Sequence, residues 1–199
     1  MSVAIFPGSF KPPHIGHFDI VKKLLKRKGV GLVVIVISKK PRPLINVRNV
    51  NKDELIKIVK GAKEGMTKAE IQELVPVFTQ DQSYKIWMKY IKLLPVVDQK
   101  RVQVIKSQAT SPVQNGEIIK LGKDEVKKGH KILFVKSAKD AGNSRYSFYE
   151  MTIGKKNIKY LVIKPTKRKD GHNVSSTFIR NSMLRGDHKK IENLILVNI

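Results

Sequence analysis

Residues 4–17 read Ala-Ile-Phe-Pro-Gly-Ser-Phe-Lys-Pro-Pro-His-Ile-Gly-His, and this stretch decides how the rest of the chain is read. A short apolar run ending at Phe6 passes through a Gly/Pro turn into a segment with Phe18, Ile20, Val21, Leu24 and Leu25 on one helical face. The spacing predicts a strand, a turn, and a helix that begins near His14 or Gly16. Such a junction suits a phosphate chain: first-turn N–H groups stay unpaired and carry partial positive charge, and Gly8 and Gly16 let a ligand approach the main chain. His14 and His17, three residues apart, add side-chain donors.

Working outward, β-branched apolar runs recur at 3–6, 31–37, 101–107, 131–136 and 159–164, with helical spacing between them. Their near-continuous apolar character suits parallel strands covered on both faces. The expectation is an α/β, Rossmann-like doubly wound sheet of about five parallel strands with helices on both faces. Gly29 and Gly31 end the first helix, Pro41 and Pro43 force a loop, and 52–60 returns to helix. Residues 67–94 predict two more helices. Thr67 and Glu70 have capping-box spacing at the first, and Asp81 or Ser83 is the expected cap of the second. On that second helix Trp87 and Tyr90 fit a core stripe better than a base-stacking platform. The chain of 199 residues reads as a single domain, with 61–98 as a helical insertion or cap, or else part of the ordinary crossover between the second and third strands, and 175–199 as a closing helical segment.

Composition narrows the chemistry. The absence of Cys removes disulfides, thiolate catalysis and Cys-ligated zinc. The longest apolar run, 31–37, falls far short of the ~20 residues that span a bilayer, and the start lacks a basic segment followed by an apolar one. A soluble, cytoplasmic protein without membrane contact is the expectation. Forty Lys and Arg against sixteen Asp and Glu give a net charge of +24. Ten basic and no acidic residues lie within 21–52, and nine basic residues face only Asp170 within 151–186. The excess therefore brackets the His14–His17 turn and a second polar segment, where it would steer an anionic substrate inward. It also leaves open non-specific contact with nucleic acid.

That second segment is Asn173-Val174-Ser175-Ser176-Thr177-Phe178-Ile179-Arg180. Ser175 or Ser176 is a natural N-cap for a helix carrying Phe178, Ile179, Met183 and Leu184, Thr177 adds a hydroxyl, and Arg180 offers a planar fork one turn further on. His130 and His172 have no partner at metal-ligand spacing, so no protein-held metal site is expected.

The two segments together resemble signatures of one family. Residues 8–17 resemble the (H/T)xGH motif, and 173–180 the ISSTxIR motif, of the nucleotidyltransferase superfamily that contains the nicotinamide-mononucleotide and phosphopantetheine adenylyltransferases and the cytidylyltransferases. The resemblance implies in-line transfer of a nucleoside monophosphate from ATP, or CTP, to a small phosphate monoester, with Mg²⁺ carried on the triphosphate. It implies His17 at the displaced phosphate and His14 sharing the triphosphate. Gly8, Ser9, Phe10, Gly16, Ser175, Ser176, Thr177 and Arg180 would lie around the nucleotide. Ser9 would also meet the acceptor's phosphate. Ser38-Lys39-Lys40-Pro41 is similar to a phosphopantetheine-branch run, which makes Lys39 a catalytic candidate bridging acceptor and nucleotide.

The acceptor is less distinct. Pro12-Pro13, the complete Ser-Ser-Thr-Phe-Ile-Arg and Met183-Leu184-Arg185-Gly186-Asp187 look more like the nicotinamide-mononucleotide branch, which is the first expectation. Lys11 stands where the phosphopantetheine branch has Asp. Lys169-Asp170-Gly171-His172 departs from the run that precedes the cytidylyltransferase motif, so CTP is the second donor. Ser144-Arg145-Tyr146 is a further contact candidate. A basic nucleic-acid-binding protein on the same fold is the non-enzymatic alternative.

Overall fold

The computed structural model describes residues 1–111, 116–137, 146–164, 166–167 and 171–195. In chain order its elements are β1 (Ser2–Gly8), α1 (Ile15–Lys26), β2 (Val30–Ile37), β3 (Arg42–Pro43), α2 (Lys52–Ile58), α3 (Lys68–Leu74), β4 (Val77–Phe78), α4 (Gln80–Lys92) and α5 (Val96–Gln99). There follow β5 (Val102–Lys106), α6 (Gly116–Lys127), β6 (Lys131–Ser137), α7 (Ser147–Tyr149), β7 (Ile158–Ile163) and α8 (Ser176–Leu184).

The five long strands form one sheet in the order β5-β2-β1-β6-β7, every adjacent pair parallel. They fall on the five runs read from the sequence. Strand alternation explains the two layers of core. On one face Ala4, Phe6, Val33, Ile35, Ile37, Leu133 and Val135 pack against Phe18, Val21, Leu24 and Leu25 of α1 and Ile86, Trp87 and Tyr90 of α4. On the other, Val3, Ile5, Val34, Val36, Ile132 and Phe134 meet Ile118 of α6 and the Tyr146–Ile153 segment. The sheet is thus a Rossmann-like α/β sheet covered on both sides.

The order of strands reverses between β1 and β6. In an open parallel sheet the crevice beyond the carboxyl ends at that reversal is where ligands bind, because the connections there lead to opposite faces. The 8–17 turn leaves β1 at this place.

The middle of the chain adds structure that local sequence did not disclose. β3 and β4 pair antiparallel in a two-residue ribbon, Arg42 with Phe78 and Pro43 with Val77, inside what the prolines marked only as loop. Ile45, Val47, Leu55, Val59, Ile71 and Val75 make a small core of their own, with Leu184 of α8 against it. Thr67 and Glu70 do form a capping box. The start of α4 differs from the sequence reading: Thr79 is its N-cap, boxed with Gln82. Asp81 and Ser83 are inside the helix because Thr79 meets Gln82 first. Ser83 is buried and donates its hydroxyl to the Phe10 carbonyl at 2.6 Å. Gln80 donates to the carbonyls of Ile37 and Ser107, at 2.8 and 2.9 Å. The start of α4 therefore fastens the ends of β2 and β5 to the His14–His17 turn.

Trp87 and Tyr90 are fully buried, as the core reading expects. Trp87 lies edge-on to Phe10, ring centroids 5.4 Å apart, and Tyr90 stacks on Phe18 at 5.1 Å. Truncating a fully buried tryptophan costs about 3–5 kcal/mol. We expect Trp87→Ala to lose that much in urea-induced unfolding, and a loss below about 1 kcal/mol would contradict a core role.

Candidate functional site

A cavity of about 420 Å³ opens at the β1/β6 reversal. Its walls come from the N-cap and first two turns of α1 (His14, Gly16, His17, Ile20), the ends of β6 and β7 (Ser137, Ile163) with Lys164 just beyond, Thr166, and residues 173–176 leading into α8. Two helix starts meet on one cavity, and each brings amides that its own helix leaves without carbonyls. The two sequence motifs, more than 150 residues apart, are thereby joined.

His14 is the N-cap of α1, with extended backbone at φ −142° and ψ 172°. Its N–H donates to Nδ1 of His17 at 3.3 Å. An accepting Nδ1 fixes the neutral tautomer of His17, leaving the proton on Nε2. The two imidazoles stack with centroids 3.6 Å apart. Phe10 stands edge-on to the His17 ring at 4.9 Å and so holds its plane. Phe10 itself has φ 49°, in the left-handed region, and its ring fills the space beside Gly8, where an added Cβ would come within 2.6 Å of it. At Gly16 an added Cβ would sit 3.0 Å from the Thr166 hydroxyl and 3.2 Å from the His14 ring. A side chain at Gly8 would displace the Phe10 ring, and one at Gly16 would crowd Thr166 and His14.

Burial holds the His14 imidazole down at about 4, and burial together with His14 pushes His17 well below the usual histidine range. Both rings are neutral at pH 7. Nδ1 of His14 is buried without a hydrogen-bond partner among the described residues. Each neutral ring keeps one N–H donor.

On the opposite wall Ser175 is the N-cap of α8 and accepts from the Phe178 N–H at 3.2 Å, while Ser176 donates to the Pro12 carbonyl at 2.8 Å. Thr177 is exposed and accepts from Arg180. Arg180 is largely engaged by protein: it donates to the carbonyls of Pro43 (2.9 Å) and Lys11, and to Thr177 Oγ1 (3.3 Å). The sequence suggested a fork aimed at phosphate. The structure shows a fork that first ties α8 to the 8–17 turn and to β3. Lys39 lies exposed just past β2, its N–H on the Ala109 carbonyl, and its amine makes no hydrogen bond or ion pair among the described residues. Ser9 is half-buried and accepts from Arg42 at 3.5 Å.

Two residues of this neighbourhood escaped the sequence reading. Lys11 is completely buried, its amine donating to the Ser38 carbonyl (2.6 Å) and hydroxyl (2.9 Å). Burial, with Arg42 and Arg180 nearby, lowers its pKa to about 8. Arg42, between Pro41 and Pro43, reaches the turn only because the β3–β4 ribbon brings it back. The available signal was its place between two prolines in a window, 21–52, that holds ten basic and no acidic residues. Of the other candidates, Ser144 and Arg145 lie outside the described residues, and Tyr146 is buried with its ring 4.8 Å from the Lys136 amine. His130 is occupied by Glu125 at 2.7 Å. Among the described residues no three His, Asp or Glu gather into a metal site, and no helix is long and apolar enough to cross a membrane.

The sequence profile described as cytidylyltransferase-like matches residues 5–182, nearly the whole chain. The chain belongs to the cytidylyltransferase-like family, whose members are nucleotidyltransferases. Over 36 residues it is 53% identical to a probable nicotinate-nucleotide adenylyltransferase of a Nitratiruptor species, covering 18% of this chain and 20% of that one. Over 85 residues it is 29% identical to the phosphopantetheine adenylyltransferase of Heliobacterium modesticaldum, covering 41% and 48%. The chain thus spans less than half the length of these curated relatives. Among solved structures it is similar to a bifunctional NMN adenylyltransferase/ADP ribose pyrophosphatase from Francisella tularensis, complexed with AMP and a manganese ion. The TM-score is 0.56 at 16% identity, over 100% of this chain and 45% of that one, a likeness of fold.

The histidine pair makes a stability prediction. A histidine with an ordinary pKa of 6.5 that is held at about 4 when folded takes up its proton first in the unfolded chain. Its contribution is fully present above pH 6.5 and lost as pH falls toward 4. At about 1.36 kcal/mol per unit this is roughly 3 kcal/mol. We expect wild-type unfolding free energy to rise steeply over that window and His14→Asn to flatten the rise; identical pH profiles would refute a neutral, buried His14.

Proposed function

We propose that this family member transfers AMP from ATP to a small phosphate monoester, releasing pyrophosphate, and that nicotinamide mononucleotide is its acceptor. The observation that carries this reading is the cavity where two helix starts and two neutral, stacked histidines converge, with no carboxylate among the described residues of its wall. Such a set suits a reaction between two anions that needs positioning and charge stabilisation rather than proton abstraction.

In this reading an oxygen of the acceptor's phosphate attacks the α-phosphorus of ATP, the bond from that phosphorus to the β-bridging oxygen breaks, and pyrophosphate leaves with its electron pair. The acceptor is already ionised at neutral pH, so no general base is required. His17 donates from Nε2 to the phosphate undergoing displacement, and His14, also neutral, lies against the triphosphate. The main chain of Gly8 to Phe10 follows the nucleotide, Gly16 leaves it room, and Ser175, Ser176 and Thr177 present the α8 amides and hydroxyls. Arg180 closes the clamp, Ser9 meets the acceptor's phosphate, and Lys39 swings in from its exposed position to bridge the two substrates. Mg²⁺ suits this site as a passenger on the triphosphate, where it neutralises phosphate charge; the wall's imidazoles, hydroxyls and amides are phosphate ligands rather than a carboxylate cage.

The acceptor assignment draws on Pro12-Pro13 and the complete closing motif, and on the nicotinate-nucleotide enzyme among the relatives. Phosphopantetheine is the second reading, favoured by Ser38-Lys39-Lys40-Pro41 and by the curated match to the Heliobacterium modesticaldum enzyme, which covers more of the chain than the nicotinate-nucleotide match. We read the chain as one domain, cytoplasmic in location, with the helical segment 61–98 as part of the crossover between β2 and β5, its α4 packed on the sheet.

Pyrophosphate release from ATP or CTP with nicotinamide mononucleotide, nicotinate mononucleotide, phosphopantetheine and other phosphate monoesters tests the reading. ATP with nicotinamide mononucleotide is expected to give the highest rate, and release with no pair, alongside salt-sensitive binding to nucleic acid, would overturn the enzymatic reading. His17→Ala is expected to lower kcat by about 10²–10³, the loss typical of removing one transition-state donor, with its melting behaviour retained. Near-normal turnover would remove His17 from the chemistry.

A further inference from the structure

Lys11, Arg42 and Arg180 form a cation cluster beside, rather than within, the wall of the large cavity. A set of hydrogen bonds defines it. Lys11 Nζ is held by the Ser38 carbonyl and hydroxyl, Arg42 Nε reaches Ser9 Oγ, Arg180 donates to the Lys11 carbonyl, and Arg180 Nε donates to Pro43, the neighbour of Arg42. Among the described residues none of the three makes an ion pair with a carboxylate. Three mutually repelling cations, one of them completely buried, are an unfavourable arrangement unless an anion completes it. Evidence of that repulsion is in the amine itself, which burial and both arginines draw down to about 8.

We propose that Lys11 and Arg42 are acceptor-selecting residues: with Arg180 they form a seat for the acceptor's dianionic phosphate monoester, separate from the histidine-lined cavity that takes the nucleotide. The proposal rests on the transfer reaction above and adds to it where the second anion is held and by which side chains. The partition has a physical reason. Two polyanions must be brought to reacting distance, and each needs its own counter-charge. The nucleotide meets neutral histidines, hydroxyls, helix amides and the remaining donors of Arg180, whereas the seat adds the exposed charge of Arg42 and, from behind it, the field of the buried Lys11 amine. Lys11 supplies a point charge fixed by Ser38, and Arg42 a planar guanidinium on an exposed ribbon. Arg180, bonded to the backbone of Lys11 and next to Arg42, couples the seat to α8 at the cavity wall. A carboxylate in place of Lys11 would remove a charge from this seat and put one of opposite sign there. Lys11 therefore biases the acceptor toward a phosphate held by direct charge pairing.

The test uses calorimetric titration of the whole protein with α,β-methylene ATP, then of the same protein with inorganic phosphate in the presence and absence of that nucleotide. Lys11→Met and Arg42→Gln are each expected to weaken phosphate binding at least tenfold while leaving nucleotide affinity within threefold. In turnover, acceptor KM should rise by a similar factor and ATP KM hold. Arg42 is exposed, so Arg42→Gln keeps the test valid if Lys11→Met does not fold. Wild-type phosphate affinity in Arg42→Gln, or equal losses of nucleotide and phosphate binding, would overturn the seat. Failure of the wild type to bind the nucleotide would instead overturn the transfer reaction, and phosphate titration of the free variants would still decide the seat.

Discussion

The Arg180 guanidinium is the interaction on which the site depends. It spans 169 residues of sequence to the Lys11 carbonyl and 137 to that of Pro43, and holds Thr177 on its own helix. Lysine could bring the charge but not three simultaneous, planar hydrogen bonds. Through this one side chain the start of α8 is set against the start of α1, and the cavity at the strand-order reversal acquires its second wall. Ser176 on the Pro12 carbonyl reinforces the same joint. So does Arg185, paired with Glu54 at the edge of the helical middle.

Around that joint the site is built by exclusion of freedom. Ser83 and Gln80 pin the turn and the strand ends from α4, Phe10 is wedged between Gly8, His17 and Trp87, and the His14 N–H settles the His17 tautomer. Each contact removes a rotamer or a protonation state before any ligand arrives. A positioning reaction needs this, because a fixed donor loses no reorganisation energy when charge develops. The histidines stay neutral because burial opposes a charge on either ring and His14 adds to the penalty at His17. The cations are set apart from them.

Much of this was legible in the sequence. All five long strands, the cap at Ser175, the start of α1 beside His14 and the core role of Trp87 follow from apolar period and capping chemistry, which are local. The Gly8–His17 and Asn173–Arg180 segments were likewise readable as two parts of one site, and they meet on one cavity. What escaped depends on contacts between distant residues. Thr79 rather than Asp81 caps α4 because Gln82 is available to it. Arg42 belongs to the site only through pairing of β3 with β4. Lys11 read as a departure from a family pattern, and the structure buries its amine on Ser38. Arg180 read as a free phosphate ligand, and two of its five N–H donors are taken by backbone carbonyls and a third by the Thr177 hydroxyl. Period and motif report which residues face inward; they do not report what a long cation bonds to once there.

The most direct measurement is the ATP dissociation constant of the wild type beside Arg180→Lys and Arg180→Ala, with hydrogen exchange across residues 8–17 and 176–184 followed in all three. If Arg180 acts by joining the two motifs, the lysine variant should lose nearly as much affinity as the alanine variant, and both segments should lose protection together. Near-wild-type affinity and protection in Arg180→Lys would contradict the account, since charge alone would then suffice.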